Sequence, residues 1–461
     1  EDPSVFSLGG NQEGIQVGTA IATLFRAREE DGSTDAEVRH RSLWGASKLE
    51  VLEAEVTAGT RTQRYDIVEP DETLGLPFVP SVASAGYTDW PRLPDLFPFY
   101  PPGIKTSRDE LLVDIDADVL DSRMAAYFDP AVDEAQMRKI CQKAVRSTGT
   151  FDASRTRGQL QRRGAAPARI VPHVYRPFDL RHLFYEPETD LLERKRPEYP
   201  PHVFDGNVWL ATAQRARKGY EPPLVAQSLM SLHVVEWSAS CFPLYLGLNP
   251  GLFGDDEETG RLGEHRSPEA NLSDAAVKAL DGLGVKDREA LFYHAVAVLH
   301  SQAYQDENAG ALRLDWPRLP LPDDALTLVR SAEIGRRVAA LLDVERDIRG
   351  VTTGTLAPLL RPIAVPATSA GGSPASALGE MSVTARWGRS GRGGAVMPGP
   401  GRTVTRRLSG LEADAMGDAA SPLCGAEIET VDVYLNGGAY WANVPINVWE
   451  YRMGGDQVLK K

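Results

Sequence analysis

Only three cysteines occur in 461 residues, Cys141, Cys241 and Cys424, and none belongs to a CxxC pair. That spacing argues against a disulfide framework and a cysteine-built zinc site, and it points to buried thiols in a reducing cytoplasm. No apolar run approaches the roughly 18 residues a membrane helix needs, so no membrane partner is expected. The first residues, Glu1-Asp2-Pro3, offer neither an initiator methionine nor a basic segment leading into an apolar one. No secretory signal is read there, and the chain is expected to be a piece of something longer. Nucleotide fingerprints are missing too, with no GxGxxG and no Walker lysine loop. GxSxG is absent, and no catalytic pair stands out among 64 acidic residues, so no hydrolase can be argued. His294 and His300 stand six apart in one predicted helix, a spacing that does not bring both to one metal. Positive charge is short overall: 50 basic against 64 acidic residues leave −14, a poor start for a protein that holds phosphates.

What is present is a globular composition and a length sufficient for roughly two to four domains. Residues 14–26 read as a buried strand and 38–43 as another; 46–58 carry Leu49, Leu52 and Val56 at helical spacing, and 66–70 turn extended again. This order looks like the closing half of an α/β domain. Residues 75–103 are too apolar for a tether and too rich in proline for regular structure, so they read as an ordered crossing segment. Helices are expected over 118–124 and 133–145, and the basic stretch 155–169 is read as a loop. Short β-branched and aromatic runs between 170 and 246 predict strands, and a polar loop spans 247–267.

Residues 287–320 organise the rest. Asp287 is a candidate N-cap for a helix bearing Leu291, Phe292, Ala295, Val298, Leu299 and Ala303, and Trp316-Pro317-Arg318-Leu319-Pro320 then sets an extended path. Asp323 and Asp324 start a second long helix through Leu342, carrying Leu326, Val329, Val338, Leu341 and Leu342, which returns beside the first. The remainder is β-rich. Residues 381–387 and 402–408 form a candidate hairpin about a basic glycine-rich loop, 429–435 alternate into an Asn436-Gly437 turn, and Trp449 and Tyr451 continue the alternation. No internal repeat is evident.

Several of these strings together resemble the C-terminal specificity region of type ISP restriction-modification enzymes, single chains that join a helicase-nuclease to an adenine-N6 DNA methyltransferase. They are residues 175–185 (YRPFDLRHLFY), 242–246 (FPLYL), 293–304 (YHAVAVLHSQAY), 316–320 (WPRLP), 382–398 (SVTARWGRSGRGGAVMP) and 431–461. The resemblance covers residues 170–461, and 14–26 with 43–52 look like the end of the family's methyltransferase domain. It implies a fold of α/β and α+β character: a Rossmann-like methyltransferase remnant (1–88), a crossing segment with helices and a basic loop (89–169), and a mixed helix/strand target-recognition domain (170–461). In that family a glycine-rich motif binds S-adenosylmethionine and Asn-Pro-Pro-Tyr/Phe holds the flipped adenine. Neither string occurs here. No cofactor is therefore expected on this chain, although S-adenosylmethionine is expected for the complete enzyme. The implied partners are double-stranded DNA and an upstream methyltransferase, with a helicase-nuclease portion, in a system of phage defence.

Sequence readout needs Arg, Lys, Asn or Gln at base edges and other basic groups on phosphates. Arg386, Arg389, Arg392, Arg402 and Arg406 could supply these from a loop whose glycines allow close approach; the alternative is a bare hairpin tip. Arg155, Arg157, Arg162 and Arg163 read either as an arm along phosphates or as a solvated linker. Arg176 and Arg181 flank Phe178 and Asp179, where an Arg-Asp pair locking the strand competes with phosphate contact. Gln214 and Arg215, with Arg217, follow an apolar strand from which side chains could reach a groove. Two other readings stay open: a subunit of a split methyltransferase active only with a partner chain, and a protein-docking module.

Overall fold

The computed structural model describes residues 21–24, 37–43, 47–58, 65–80, 83–164, 169–216, 220, 222–235, 238–247, 268–372, 374, 381, 389–390, 396–397, 401–425, 427–453 and 456–460. Most of the expected strand at 14–26 and of the polar loop at 247–267 therefore lies outside the described residues. β1 (Val38–His40) pairs antiparallel with β2 (Asp66–Val68), and α1 (Lys48–Ala58) lies between them in the chain.

The proline-rich segment is ordered, with one helical turn, α2 (Leu93–Leu96). Buried Asn271 holds it like a neighbouring strand: its carboxamide accepts from Phe99 N at 3.1 Å and donates to the Phe99 carbonyl at 2.8 Å and that of Pro243 at 3.1 Å. An internal repeat, unnoticed in the sequence, sits here. Asp-Trp-Pro-Arg-Leu-Pro occurs at 89–94 and again at 315–320. The two copies pair antiparallel about Arg92 and Arg318, Leu93 N donating to Pro317 O and Leu319 N to Pro91 O, each at 2.9 Å. The prolines lack N–H groups, and the two arginine N–H groups turn elsewhere, Arg92 N to Asp95 Oδ2 at 2.9 Å and Arg318 N to the Tyr87 hydroxyl at 3.3 Å, so the leucine N–H groups make the pairing. Arg318 then ties the pair to the Thr88 and Trp90 carbonyls at 2.9 and 3.0 Å.

Next come α3 (Asp109–Leu112), β3 (Val113–Asp114), α4 (Ala117–Phe128) and α5 (Glu134–Ile140), the last two started by Asp116 and Asp133 as N-caps. The basic stretch that follows is not a loop. It is α6 (Ala153–Arg163), capped by Asp152, whose carboxylate accepts from Arg155 N at 2.9 Å. Ala153, Thr156, Arg157 and Leu160 form its buried face at helical spacing, and Gly158 does not interrupt it.

Strands β4 (Arg169–Arg176), β5 (Asp179–Tyr185), β6 (Trp209–Thr212), β7 (Leu224–Ala226), β8 (Leu229–Met230), β9 (Ser240–Pro243), β10 (Tyr245–Leu246) and β11 (Glu269–Ala270) build three sheets, ordered β3-β5-β4-β8, β7-β6-β9 and β10-β11. All residues of β6 and β7 are buried, which is why their sequences run apolar rather than alternate.

Helix α7 (Asp274–Gly282) leads to α8 (Ala290–Leu299), α9 (Gln302–Glu307) and α10 (Ala325–Leu342). Helix α8 is buried nearly all round. Its expected cap shifts by two residues, because Asp287 accepts from Glu289 N and Glu289 occupies the cap position without a side-chain bond. His294 bonds Ser331 Oγ at 2.8 Å and the Pro320 carbonyl at 2.9 Å, and His300 bonds the Pro223 carbonyl at 2.9 Å, so both are structural. In α10, Asp324 caps as expected, but Leu326 and Leu341 are 58% and 59% exposed. The face turned to α8 is Leu328, Ala332, Gly335, Ala339 and Leu342.

The C-terminal part contains β12 (Val365–Thr368), β13 (Arg389–Ser390), β14 (Val396–Met397), β15 (Arg402–Arg407), α11 (Gly410–Met416), α12 (Ala420–Cys424), β16 (Glu429–Tyr434), β17 (Ala439–Pro445), α13 (Ile446–Trp449), β18 (Arg452–Met453) and β19 (Asp456–Gln457). Its main sheet runs β12-β17-β16-β15. Strand β15 thus pairs with β16; of residues 381–387, expected as its partner, all but Met381 lie outside the described residues. Trp449 ends a helix rather than a strand and packs beneath the sheet with Val431, Val433 and Val444.

The principal core runs from Leu74 to Leu342 and takes in Met453, without a break at the expected 169/170 boundary. The result is a mixed α/β architecture of several small sheets, with smaller cores under the C-terminal sheet. All three cysteines are free and buried. No helix among the described residues is long and apolar enough to cross a membrane.

Candidate nucleic-acid interface

Antiparallel register sets one row across the C-terminal sheet: Arg402 opposite Tyr434, Tyr434 opposite Tyr440, and Tyr440 opposite Ala367. Because side chains alternate along a strand, this row lies on the face away from Val433 and the small core. The two tyrosine rings stack at 4.8 Å with 21° between planes, and the Arg402 guanidinium sits 4.1 Å from the Tyr434 centroid. Arg402 is exposed, and among the described residues its donors take no hydrogen bond. Stacking holds the guanidinium plane while leaving its N–H edge for a phosphate or a base edge. Neither tyrosine was singled out from sequence as a site residue. The signal was present: Tyr434 alternates against Val433, and a reversal around Asn436-Gly437 places Tyr440 opposite it. Asn436 caps that reversal, its carboxamide oxygen accepting from Gly438 N at 2.9 Å and Ala439 N at 2.8 Å.

Arg406, two side chains further along the same face, points inward. It forms a two-armed pair with Glu412 at 3.0 and 3.2 Å and approaches Asp432 at 3.5 Å. Glu412 also accepts from Ser409 N and Oγ, both at 2.9 Å, and from Asn443 Nδ2 at 3.0 Å. Burial alone would raise this carboxyl, but the Ser409 bonds, the guanidinium and the amide outweigh it and bring it down to about 2. A carboxyl depressed from its ordinary value near 4.5 stabilises the fold fully above that value and loses the contribution as pH falls toward 2. Glu412→Gln is therefore expected to cost about 2 kcal/mol at pH 7 and progressively less below pH ~4.5, as read by denaturant unfolding at a series of pH values.

Other arginines are engaged in the fold. Arg157 is buried and donates to the carbonyls of Tyr127 at 2.8 Å and Val132 at 2.7 Å, and at longer range to those of Ala126 and Asp129. Arg163 pairs with fully buried Glu186 at 2.7 Å and also with Glu188. Arg181 pairs with Asp179 through both carboxylate oxygens, at 2.7 to 3.0 Å, so the strand-locking alternative is the arrangement observed there. Arg155 and Arg162 on α6 and Arg215 after β6 are exposed, and Gln214 donates to Asp315 at 3.1 Å. Arg389 begins the β13–β14 hairpin, while Arg386, Arg392 and Arg217 lie outside the described residues.

Residues 95–460 match the family model for the Type ISP C-terminal specificity domain, and the chain belongs to that family. Its fold is shared with three large solved proteins. One is the DrdV-DNA complex, at 20% identity and TM-score 0.56, with 92% of this chain and 38% of that one covered. A second is the ATP-dependent Type ISP restriction-modification enzyme LlaBIII bound to DNA, at 14% identity and TM-score 0.56, covering 94% and 25%. The third is a nuclease-deletion mutant of the Type ISP enzyme LlaGI with a DNA substrate mimic, at 16% identity and TM-score 0.51, covering 93% and 29%. This chain thus spans well under half the length of each. No curated protein matches it. Since its sequence contains neither the glycine-rich nor the Asn-Pro-Pro-aromatic motif, no residue here is assigned to hold S-adenosylmethionine.

Proposed function

We propose that this chain is the target-recognition portion of an adenine-N6 DNA methyltransferase within a restriction-modification system, holding duplex DNA while another stretch of polypeptide carries S-adenosylmethionine and transfers the methyl group. Residues 1–88 are then the end of a Rossmann-like methyltransferase domain, residues 89–169 the crossing segment and residues 170–461 the recognition domain. The upstream methyltransferase and helicase-nuclease portions are its partners in a cytoplasmic phage defence. Family membership supports this reading, as do the DNA complexes of the three structural relatives. The observation on the chain itself that carries it is the Arg402–Tyr434–Tyr440 row, an exposed guanidinium held on stacked rings where the arginine- and glycine-rich stretch enters the sheet.

The test is a salt titration of the full chain with duplex DNA. Arg402→Ala is expected to weaken binding by about 1–3 kcal/mol, roughly 5- to 150-fold, with the thermal midpoint unchanged. If Arg402 serves a phosphate, the slope of log affinity against log salt falls by about one; if it reads a base edge, affinity drops while the slope holds. Absence of binding at low ionic strength, or an Arg402→Ala variant that binds like the wild type, would defeat the proposal.

A further inference from the structure

The hairpin that joins β4 to β5 carries a feature the fold does not need. Its register shifts between Val174 and Arg176, leaving Tyr175 as a bulged residue, and the chain then reverses over Pro177 and Phe178. Proline at the first turn position with positive φ at the second is the type II combination, whose second place suits glycine or asparagine. Here that place is filled by Phe178, at φ 61°. A bulky residue held there costs on the order of 1–2 kcal/mol of strain. Burial does not compensate, because the ring is 36% exposed and takes no part in the principal core.

The base of the hairpin, by contrast, is stiff. Tyr175 donates its hydroxyl to Asp109 Oδ2 at 2.8 Å, and the Arg176 and Arg181 guanidiniums lie 4.5 and 4.3 Å from its ring centroid. Arg181 is neutralised by Asp179. Arg176 is not. One of its nitrogens, Nη1, donates to the Tyr175 carbonyl at 2.8 Å and to that of His233 at 3.4 Å, and among the described residues Nε and Nη2 take no hydrogen bond. An apolar ring is thus held out on a rigid apex beside a guanidinium with unused donors. Architectural DNA-binding proteins use that pairing when an apolar wedge parts a base step and a neighbouring cation holds the phosphate.

We propose that Phe178 is such a wedge: its ring enters between two stacked base pairs of the bound duplex, and Arg176 takes an adjacent phosphate. This rests on the duplex-DNA reading above and adds a place where the helix is unstacked. A wedge unwinds the duplex locally, so the target sequence need not be known to detect it. Closed-circular plasmid DNA is relaxed by a topoisomerase in the presence of the full chain at low ionic strength, and the linking number is read after deproteinisation.

The wild type is expected to lower the linking number in proportion to bound protein. Phe178→Asn, whose side chain suits the positive φ, should melt no earlier than the wild type and bind the plasmid only a few-fold more weakly, yet lose most of the linking change. Phe178→Leu, which keeps an apolar wedge, should retain much of it. If the wild type does not bind the plasmid, the DNA reading itself fails. If the wild type binds without altering linking number, or Phe178→Asn unwinds as the wild type does, the wedge is overturned while that reading stands.

Discussion

Gly335→Ala is expected to destabilise the fold by about 3 kcal/mol or more, the largest loss from adding a single methyl group among the described glycines. A Cβ at this position would lie 1.7 Å from the Tyr293 carbonyl oxygen and 2.6 Å from its carbon. Both atoms belong to the backbone of α8, so no side chain can turn aside. The helices would have to separate, which would loosen the packing of Ala332 and Ala339 and stretch the bond from His294 to Ser331. The control is Gly158→Ala in α6, where the new methyl group meets only the tip of Arg162 at 3.6 Å. Removing a glycine from a helix interior should there add about 1 kcal/mol. Denaturant midpoints followed by circular dichroism would read both, and a Gly335→Ala protein as stable as the wild type would show the close approach to be wrong.

Arg157→Met is expected to cost about 3 kcal/mol, whereas the same change at Arg155, only two residues away in the chain, should stay within about 0.5 kcal/mol. The Arg157 guanidinium satisfies carbonyls where α4 ends and in the turn beyond it, groups that a helix C-terminus leaves without partners. Methionine matches the length of the aliphatic stem but returns none of the donors, so those carbonyls stay buried and unpaired. Arg155 is exposed, and only its backbone N–H serves the fold, at the Asp152 cap. Thermal unfolding separates the two. A loss of DNA affinity confined to Arg157→Met in the folded fraction, with stability unchanged, would contradict the structural assignment.

The contrast between these neighbours shows where sequence reasoning stopped. Composition could mark residues 155–163 as basic but not which arginines face inward, because the partners of Arg157 lie some 30 residues away. Glycine and repeated arginines give the same stretch the composition of a loop, whereas the Asp152 cap and the helical spacing at 153, 156, 157 and 160 make it a helix. In α10 the large apolar residues suggested the buried stripe, but close helix approach selects small ones, and Leu326 and Leu341 were left outside. For the candidate interface, the basic stretch and Arg402 could be named in advance. Tyr434 and Tyr440 could not be joined to them until strand register was known.

By itself the sequence determined what rests on neighbouring residues: the helices starting at Asp133 and Asp324, a helix over 118–124, the buried α8, the strand runs between 170 and 246, the reversal at Asn436, and the strings that mark the family. Tertiary structure alone decided how the two Asp-Trp-Pro-Arg-Leu-Pro copies close on each other, which face of α10 is inner, and which arginines remain available to a ligand. The reason is physical. Caps, turns and periodicity are settled within a few residues, whereas a long charged side chain takes its role from whichever carbonyl, carboxylate or ring the fold brings within about 3–4 Å of its tip.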